Sequence, residues 1–314
     1  MLNRRLLLLS GLVAGVGLSL PALAQEKSAQ DKPAEGKLAV VASFSILADF
    51  VREVGGARVA LITLVGPDGD AHVYSPSPAD AKAMAAASLV VVNGLKFEGW
   101  LTRLLKSSGT KAKLATATEG ITPLKMQDDG HGHGHGGEDP HAWQSVSNAK
   151  VYVANILKAL SAADPAGKAI YEANAAAYLA KLDALETEIK AAVARIPADR
   201  RKAITSHDAF AYFAKAYGIA FVAPQGVSTE AEASARDVGR IIRQVKAQKV
   251  PAVFLENISN PRLAEQIARE SGARIGGRLY SDALSGSDGP AGTYIAMMKH
   301  NISQIEKALA AGPA

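Results

Sequence analysis

Apolar and polar positions change rhythm along the chain. Short, wholly apolar runs rich in Val, Ile and Leu alternate with longer stretches spaced by threes and fours. Residues 38–42 read as a buried strand, and residues 45–54 place Ile46, Leu47, Phe50 and Val51 on one helical face. Further strands are expected at 58–65, 89–92 and 113–117, with helices at 77–87 and 99–106. Ser77 caps the first of these helices and Pro78 takes its first position. The second half repeats the rhythm. Strands are expected at 203–205, 220–223, 252–255 and 274–279, and helices end at 217 or run over 233–248, 260–271 and 293–310.

This alternation predicts an α/β fold whose parallel sheets carry helices on both faces. Between the two halves lie helical stretches at 147–162 and 166–196, stopped by Asp164-Pro165 and Pro197. The second is longer than a typical globular helix and reads as a rigid backbone strut. The expected architecture is two similar lobes, 37–165 and 197–314, joined by a linking helix at 166–196. Open parallel sheets bind ligands beyond the carboxyl ends of their strands, so the cleft between the lobes is the expected site.

Two segments break the rhythm. Arg4 and Arg5 precede an apolar run over 6–20 and an Ala22-Leu23-Ala24 cleavage pattern, so residues 1–24 read as an export signal. A polar leader over 25–36 follows. Residues 127–137 hold the tract His131-Gly-His133-Gly-His135 among acids and glycines and read as a surface loop that can wrap an ion. Its three rings lack preorganisation and should bind more weakly than a built site.

Composition narrows the function. Removing Arg4 and Arg5 takes the net charge from +5 to about +3, too little for a nucleic-acid partner. The sequence has no cysteine, so there is no disulfide, no thiolate ligand and no cysteine-linked lipid anchor. The expectation is a periplasmic, unanchored and monomeric protein whose metal ligands, if any, are His, Asp or Glu.

His72 follows the second strand, His141 precedes a helix, His207 follows a strand of the second half, and Asp282 follows its last strand. Such junctions converge on a cleft. Three imidazoles and one carboxylate suit tetrahedral Zn²⁺, and a filled fourth position binds the ion without activating water. Each residue alone is equally compatible with a surface or capping role. His300 lies in the last helix and reads as structural or exposed. A zinc-dependent hydrolase would need an open position and a base such as Glu230 or Asp208. The contiguous Ser206, His207 and Asp208 cannot form a triad, and no glycine motif stands between a strand and a helix where it could cradle phosphate.

Several segments together resemble the metal-binding family of ABC-importer solute-binding proteins, in its zinc branch. They are Asn93-Gly-Leu with Glu98 and Trp100-Leu101, Asp139-Pro-His-Ala-Trp143 with Asn148-Ala-Lys150, His207-Asp-Ala-Phe-Ala-Tyr-Phe213 with Tyr217-Gly218, Glu256-Asn-Ile, and Asp282-Ala-Leu-Ser285. The likeness spans residues 37–310. It implies two α/β lobes, a long backbone helix, and a metal between the lobes on His72, His141, His207 and Asp282. It also implies delivery to an ABC importer permease in the inner membrane, with a periplasmic metallochaperone as a candidate further partner. Manganese-binding relatives tend to carry Glu at the third ligand, so His207 points to Zn²⁺. A manganese or iron carrier on the same fold is the alternative, with a metal buffer or adhesin behind it. The sequence departs from the usual pattern at Ala71, at Gln144-Ser145-Val146 and at Glu232-Ala233-Ser234, and no departure removes a ligand. Loops near His72, the His tract and 227–234 are expected to rearrange on release, and binding is expected to weaken as pH falls through about 6.5, where free imidazole protonates. Deleting residues 131–135 should leave one tight zinc site, read as metal stoichiometry by titration. Loss of all tight binding would make the tract the primary site.

Overall fold

The computed structural model describes residues 36–125 and 137–310. The predicted signal segment, most of the leader and His131, His133 and His135 lie outside the described residues. The first half runs β1 (Leu38–Phe44), α1 (Ser45–Gly55), β2 (Val59–Val65), α2 (Pro78–Ala86), β3 (Leu89–Val92), α3 (Leu101–Ser108) and β4 (Lys113–Thr116). Two helices follow, α4 (Val146–Ala163) and α5 (Lys168–Ala194). The second half runs β5 (Lys202–Ile204), α6 (Ala211–Tyr217), β6 (Ala220–Val222), α7 (Ala235–Gln248), β7 (Ala252–Glu256), α8 (Arg262–Ser271), β8 (Arg274–Leu279) and α9 (Tyr294–Ala310).

Both sheets are parallel and four-stranded, and both share one plan. Their orders are β2-β1-β3-β4 and β6-β5-β7-β8. The chain therefore reverses its winding beside the first strand of each half, which leaves a crevice at the strand ends. The central strands are apolar on both faces, as strands covered by helices on both sides must be. In β1, residues Val40, Val41, Ala42 and Phe44 are all buried.

Local chemistry sets the boundaries. Ser77 and Asp80 form a reciprocal capping box at α2. Ser234 caps α7 by accepting the Asp237 N–H, so that helix starts two residues later than its apolar pattern suggests. The long helix α5 opens after a 3₁₀ turn over Pro165–Gly167 and spans about 40 Å at 1.5 Å per residue. It is no free-standing rod. Tyr171, Ala175, Tyr178, Leu182, Leu185 and Ile189 form one buried stripe. This stripe packs on α1 and α4 of the first half and on α6 and α9 of the second. Ion pairs flank it, Lys181 with Glu53 on one side and Glu188 with Lys299 on the other.

The Gly276-Gly277 pair sits in β8 where the register with β7 shifts. Gly277 has φ +115°, which a side chain rarely adopts, and a Cβ on Gly276 would lie 2.6 Å from the buried Phe254 ring. Gly276→Ala should lower folding stability by about 1–3 kcal/mol through overpacking. Urea unfolding of the metal-free protein measures this, and an unchanged midpoint would contradict it.

Candidate metal centre

Four loops leave the carboxyl ends of the two sheets and meet between them. His72 lies beyond β2, His207 beyond β5 and Asp282 beyond β8, while His141 stands at the head of a 3₁₀ turn over Ala142–Gln144. Their ligand-capable atoms all lie within 4.8 Å of one another. Nε2 of His72 and of His207 lie 3.2 and 3.1 Å from Asp282 Oδ2. Nε2 of His141 lies 3.5 Å from Asp282 Oδ1 and 3.3 Å from Nε2 of His72. Tetrahedral donors bonded at about 2.0–2.1 Å stand about 3.3 Å apart, so a single small dication fits this nest. The chemistry of the donors fits as well. Asp282 is wholly buried and its Oδ1 has no hydrogen-bond donor, a costly arrangement unless a positive charge faces it.

Each element is braced from behind. Asp139 Oδ1 accepts the His141 N–H at 2.9 Å and lies 2.7 Å from its Nδ1. Glu256 Oε1 accepts the N–H groups of Ser206 and His207 at 2.6 and 3.0 Å, and its Oε2 lies 2.6 Å from Nδ1 of His207. A carboxylate on the outer nitrogen turns the lone pair of Nε2 towards the centre. Farther back, the buried Glu98 gathers the Ser43 hydroxyl and the Asn93 and Gly94 N–H groups. Asn93 in turn donates to Pro140 O at 2.9 Å, next to His141. Trp143 and Gln144 both donate to Ser281 O, at 2.9 and 2.7 Å, which ties the His141 turn to the Asp282 loop.

The electrostatics follow from burial and paired charge. Burial disfavours protonated His141, yet Asp282 and Asp139 outweigh it and push the ring up to about 9. His207 is likewise raised, with Glu256 and Asp282 overcoming its burial. Asp282 is held well below the usual carboxylate range because His141 and His207 outweigh its desolvation. His72 is lowered, first by burial and then by the neighbouring rings against the pull of Asp282.

All four predicted cleft residues are thus brought together. His300 stands apart, its Nε2 2.9 Å from Arg278 O, in a structural contact. The two bracing acids, Asp139 and Glu256, stood in the segments that carry the family likeness but were given no role from sequence. Their signals were an acid two residues before a candidate His and an acid ending a buried strand. Among the described residues no other cluster of His, Asp and Glu could hold an ion.

The sequence matches the family described as "Zinc-uptake complex component A periplasmic" over residues 40–308. It is 36% identical over 271 residues to the "Iron-binding protein YfeA" of Yersinia pestis, covering 86% of each chain. It is 32% identical over 300 residues to the "Manganese ABC transporter substrate-binding lipoprotein PsaA" of Streptococcus pneumoniae, covering 94% of this chain and 96% of that one. The "periplasmic zinc binding protein TroA" from Treponema pallidum superposes with a TM-score of 0.82 at 30% identity, over 88% of this chain and 100% of that structure.

An ion entering this nest competes with protons for His141 and His207, whose carboxylate neighbours favour the protonated rings. Their upward shifts move that competition above the pH of about 6.5 expected for free imidazole. Affinity should therefore rise steadily from pH 6 to about 9, by about tenfold per unit for each proton released. Titration calorimetry in buffers of different ionisation enthalpy measures it, and an affinity constant over that range would contradict it.

Proposed function

The chain belongs to the zinc-uptake complex component A family of periplasmic metal-binding proteins that serve ABC importers, and from that premise we propose that it captures Zn²⁺ on His72, His141, His207 and Asp282 for delivery to an importer permease in the inner membrane. Membership makes it a binding component and sets the hydrolase alternative aside. The observation that carries zinc is the third donor. Glu256 Oε2 stands 2.6 Å from Nδ1 of His207, so its charge attracts an imidazole ring there and would repel a carboxylate at position 207. The site then offers three borderline nitrogens and one oxygen, a set that favours Zn²⁺ over Mn²⁺. With Asp282 as fourth donor no position is left for a reactive water, in keeping with a carrier.

A manganese or iron carrier is the second reading, favoured by the names of the Yersinia and Streptococcus relatives. The two readings separate in one experiment. Zn²⁺ should displace Mn²⁺ from the purified protein with at least about 100-fold preference, and His207→Ala should lose most of that affinity. Preference for Mn²⁺, or full zinc affinity in His207→Ala, would overturn the zinc reading.

The remaining assignments rest on sequence. Cleavage after residue 24 would release a mature chain into the periplasm. Several relatives are named lipoproteins, so freedom from an anchor does not follow from the family. It rests on the lack of any cysteine among the 314 residues. A monomer that docks singly on the permease, loaded directly or by a metallochaperone, completes the reading.

A further inference from the structure

His72 differs from the other two histidines. It is 7% exposed, whereas His141 and His207 are fully buried. Asp139 and Glu256 back the outer nitrogens of those two, and among the described residues no carboxylate does so for His72. What holds His72 is its own loop, which Trp100 Nε1 ties to the first half through Ala71 O at 2.8 Å and which also bridges to the second half. The Asp68 N–H donates to Leu284 O at 2.9 Å, and Asn257 Nδ2 donates to Asp68 Oδ1 at 3.0 Å.

The third bridge reaches the ligand itself. Asp70 Oδ1 accepts the His72 N–H at 2.9 Å, and Asp70 Oδ2 accepts the hydroxyl of Thr229, from the second half, at 2.7 Å. Thr229 is not loosely placed. Gln225 Nε2 donates to the carbonyls of Thr229 and Ala231 at 3.1 and 2.8 Å, and the Asp208 N–H donates to Gly226 O, beside His207. One carboxylate therefore couples the least braced ring to a segment anchored next to the ring across the nest.

We propose that Asp70 is a positioning residue and that the Thr229 hydroxyl is the catch that keeps His72 on the ion, so that parting this bond lets His72 leave first and opens the site. The proposal rests on the four-residue metal site argued above. The loop is built to swing once freed, because it runs Gly66-Pro-Asp-Gly69 and Asp68 sits in the left-handed region at φ +54°. A docking partner that captures the Thr229 hydroxyl or draws its segment aside would supply the differential contact that release requires. Capture and release then use separate parts. Asp282, His141 and His207 supply most of the affinity, and the Asp70–Thr229 pair adds to it through the exit rate alone.

The test is the release rate of Zn²⁺ from the loaded full chain, followed by stopped flow with excess chelator. Thr229→Val should release zinc about tenfold faster, the worth of one charged hydrogen bond, while the association rate changes less than about twofold. Thr229→Ser, which keeps the hydroxyl, should behave as the parent. His72→Ala supplies the decisive control, since a catch acting through His72 gains nothing once the ring is gone. Thr229→Val added to His72→Ala should therefore leave release unchanged. A Thr229→Val rate within twofold of the parent, or a further tenfold gain on the His72→Ala background, would overturn the catch. If Thr229→Val fails to fold, Thr229→Ala carries the same expectations. A parent chain releasing zinc as fast as His72→Ala would overturn the site assignment itself, and the catch with it.

Discussion

A carboxylate sealed from water must be balanced by what surrounds it, and Asp282 imposes that demand on the whole molecule. It is fully buried, it faces three imidazole nitrogens at 3.1 to 3.5 Å, and one of its oxygens has no donor. A lone charge in that position would cost several kcal/mol. Without an ion, Asp282 draws positive charge onto the rings instead, and with Asp139 and Glu256 it raises His141 and His207 against their burial. A bound dication would balance it better, because it also meets the lone pairs that the rings turn inwards. Affinity in this account comes from a charge that the fold forbids to relax.

Holding four donors in register across two halves takes more than a cleft. The shared strand order brings loops from both sheets to one level, and α5 lies along both halves. Buried polar bonds then stitch the halves together around the site. Trp143 and Gln144 hold Ser281, Ser45 Oγ accepts the Leu284 N–H, and Asp49 on α1 accepts the Tyr294 N–H at the start of α9. Burial pushes Asp49 up to about 6, against the pull of that bond and of Arg52. Breaking these contacts together would strand buried polar groups. Motion is cheapest in the loops that carry His72 and Thr229, which lie outside the helices and strands and are joined to each other by the Asp70–Thr229 bond.

Much of this was legible in the sequence. Strands of uninterrupted Val, Leu and Ile, caps such as Ser77 and stops such as Pro197 gave the order of elements nearly residue by residue, because local propensity and tertiary packing agree here. The cleft residues were legible as positions at element junctions, three after strands and His141 before a helix, and the family likeness singled them out as one set. The bracing carboxylates were harder. Glu256 acts on a residue 49 positions away, and no periodicity encodes that distance. The shift of His141 to about 9 was equally hidden, since it arises from Asp139 and Asp282 converging on one buried ring. The start of α7 was misplaced because Ser234 offered a better cap than the apolar pattern suggested. The Asp70–Thr229 contact joins two loops 159 positions apart and left no trace in either.

The central claim is that three ring nitrogens and one carboxylate share a single ion. X-ray absorption on the zinc-loaded protein reads that shell directly. The expected spectrum has four nitrogen or oxygen neighbours at about 2.0–2.1 Å, with outer-shell scattering from three imidazoles that falls to two in a His141→Ala variant. A six-coordinate shell dominated by water, or an imidazole count that the variant leaves unchanged, would contradict it.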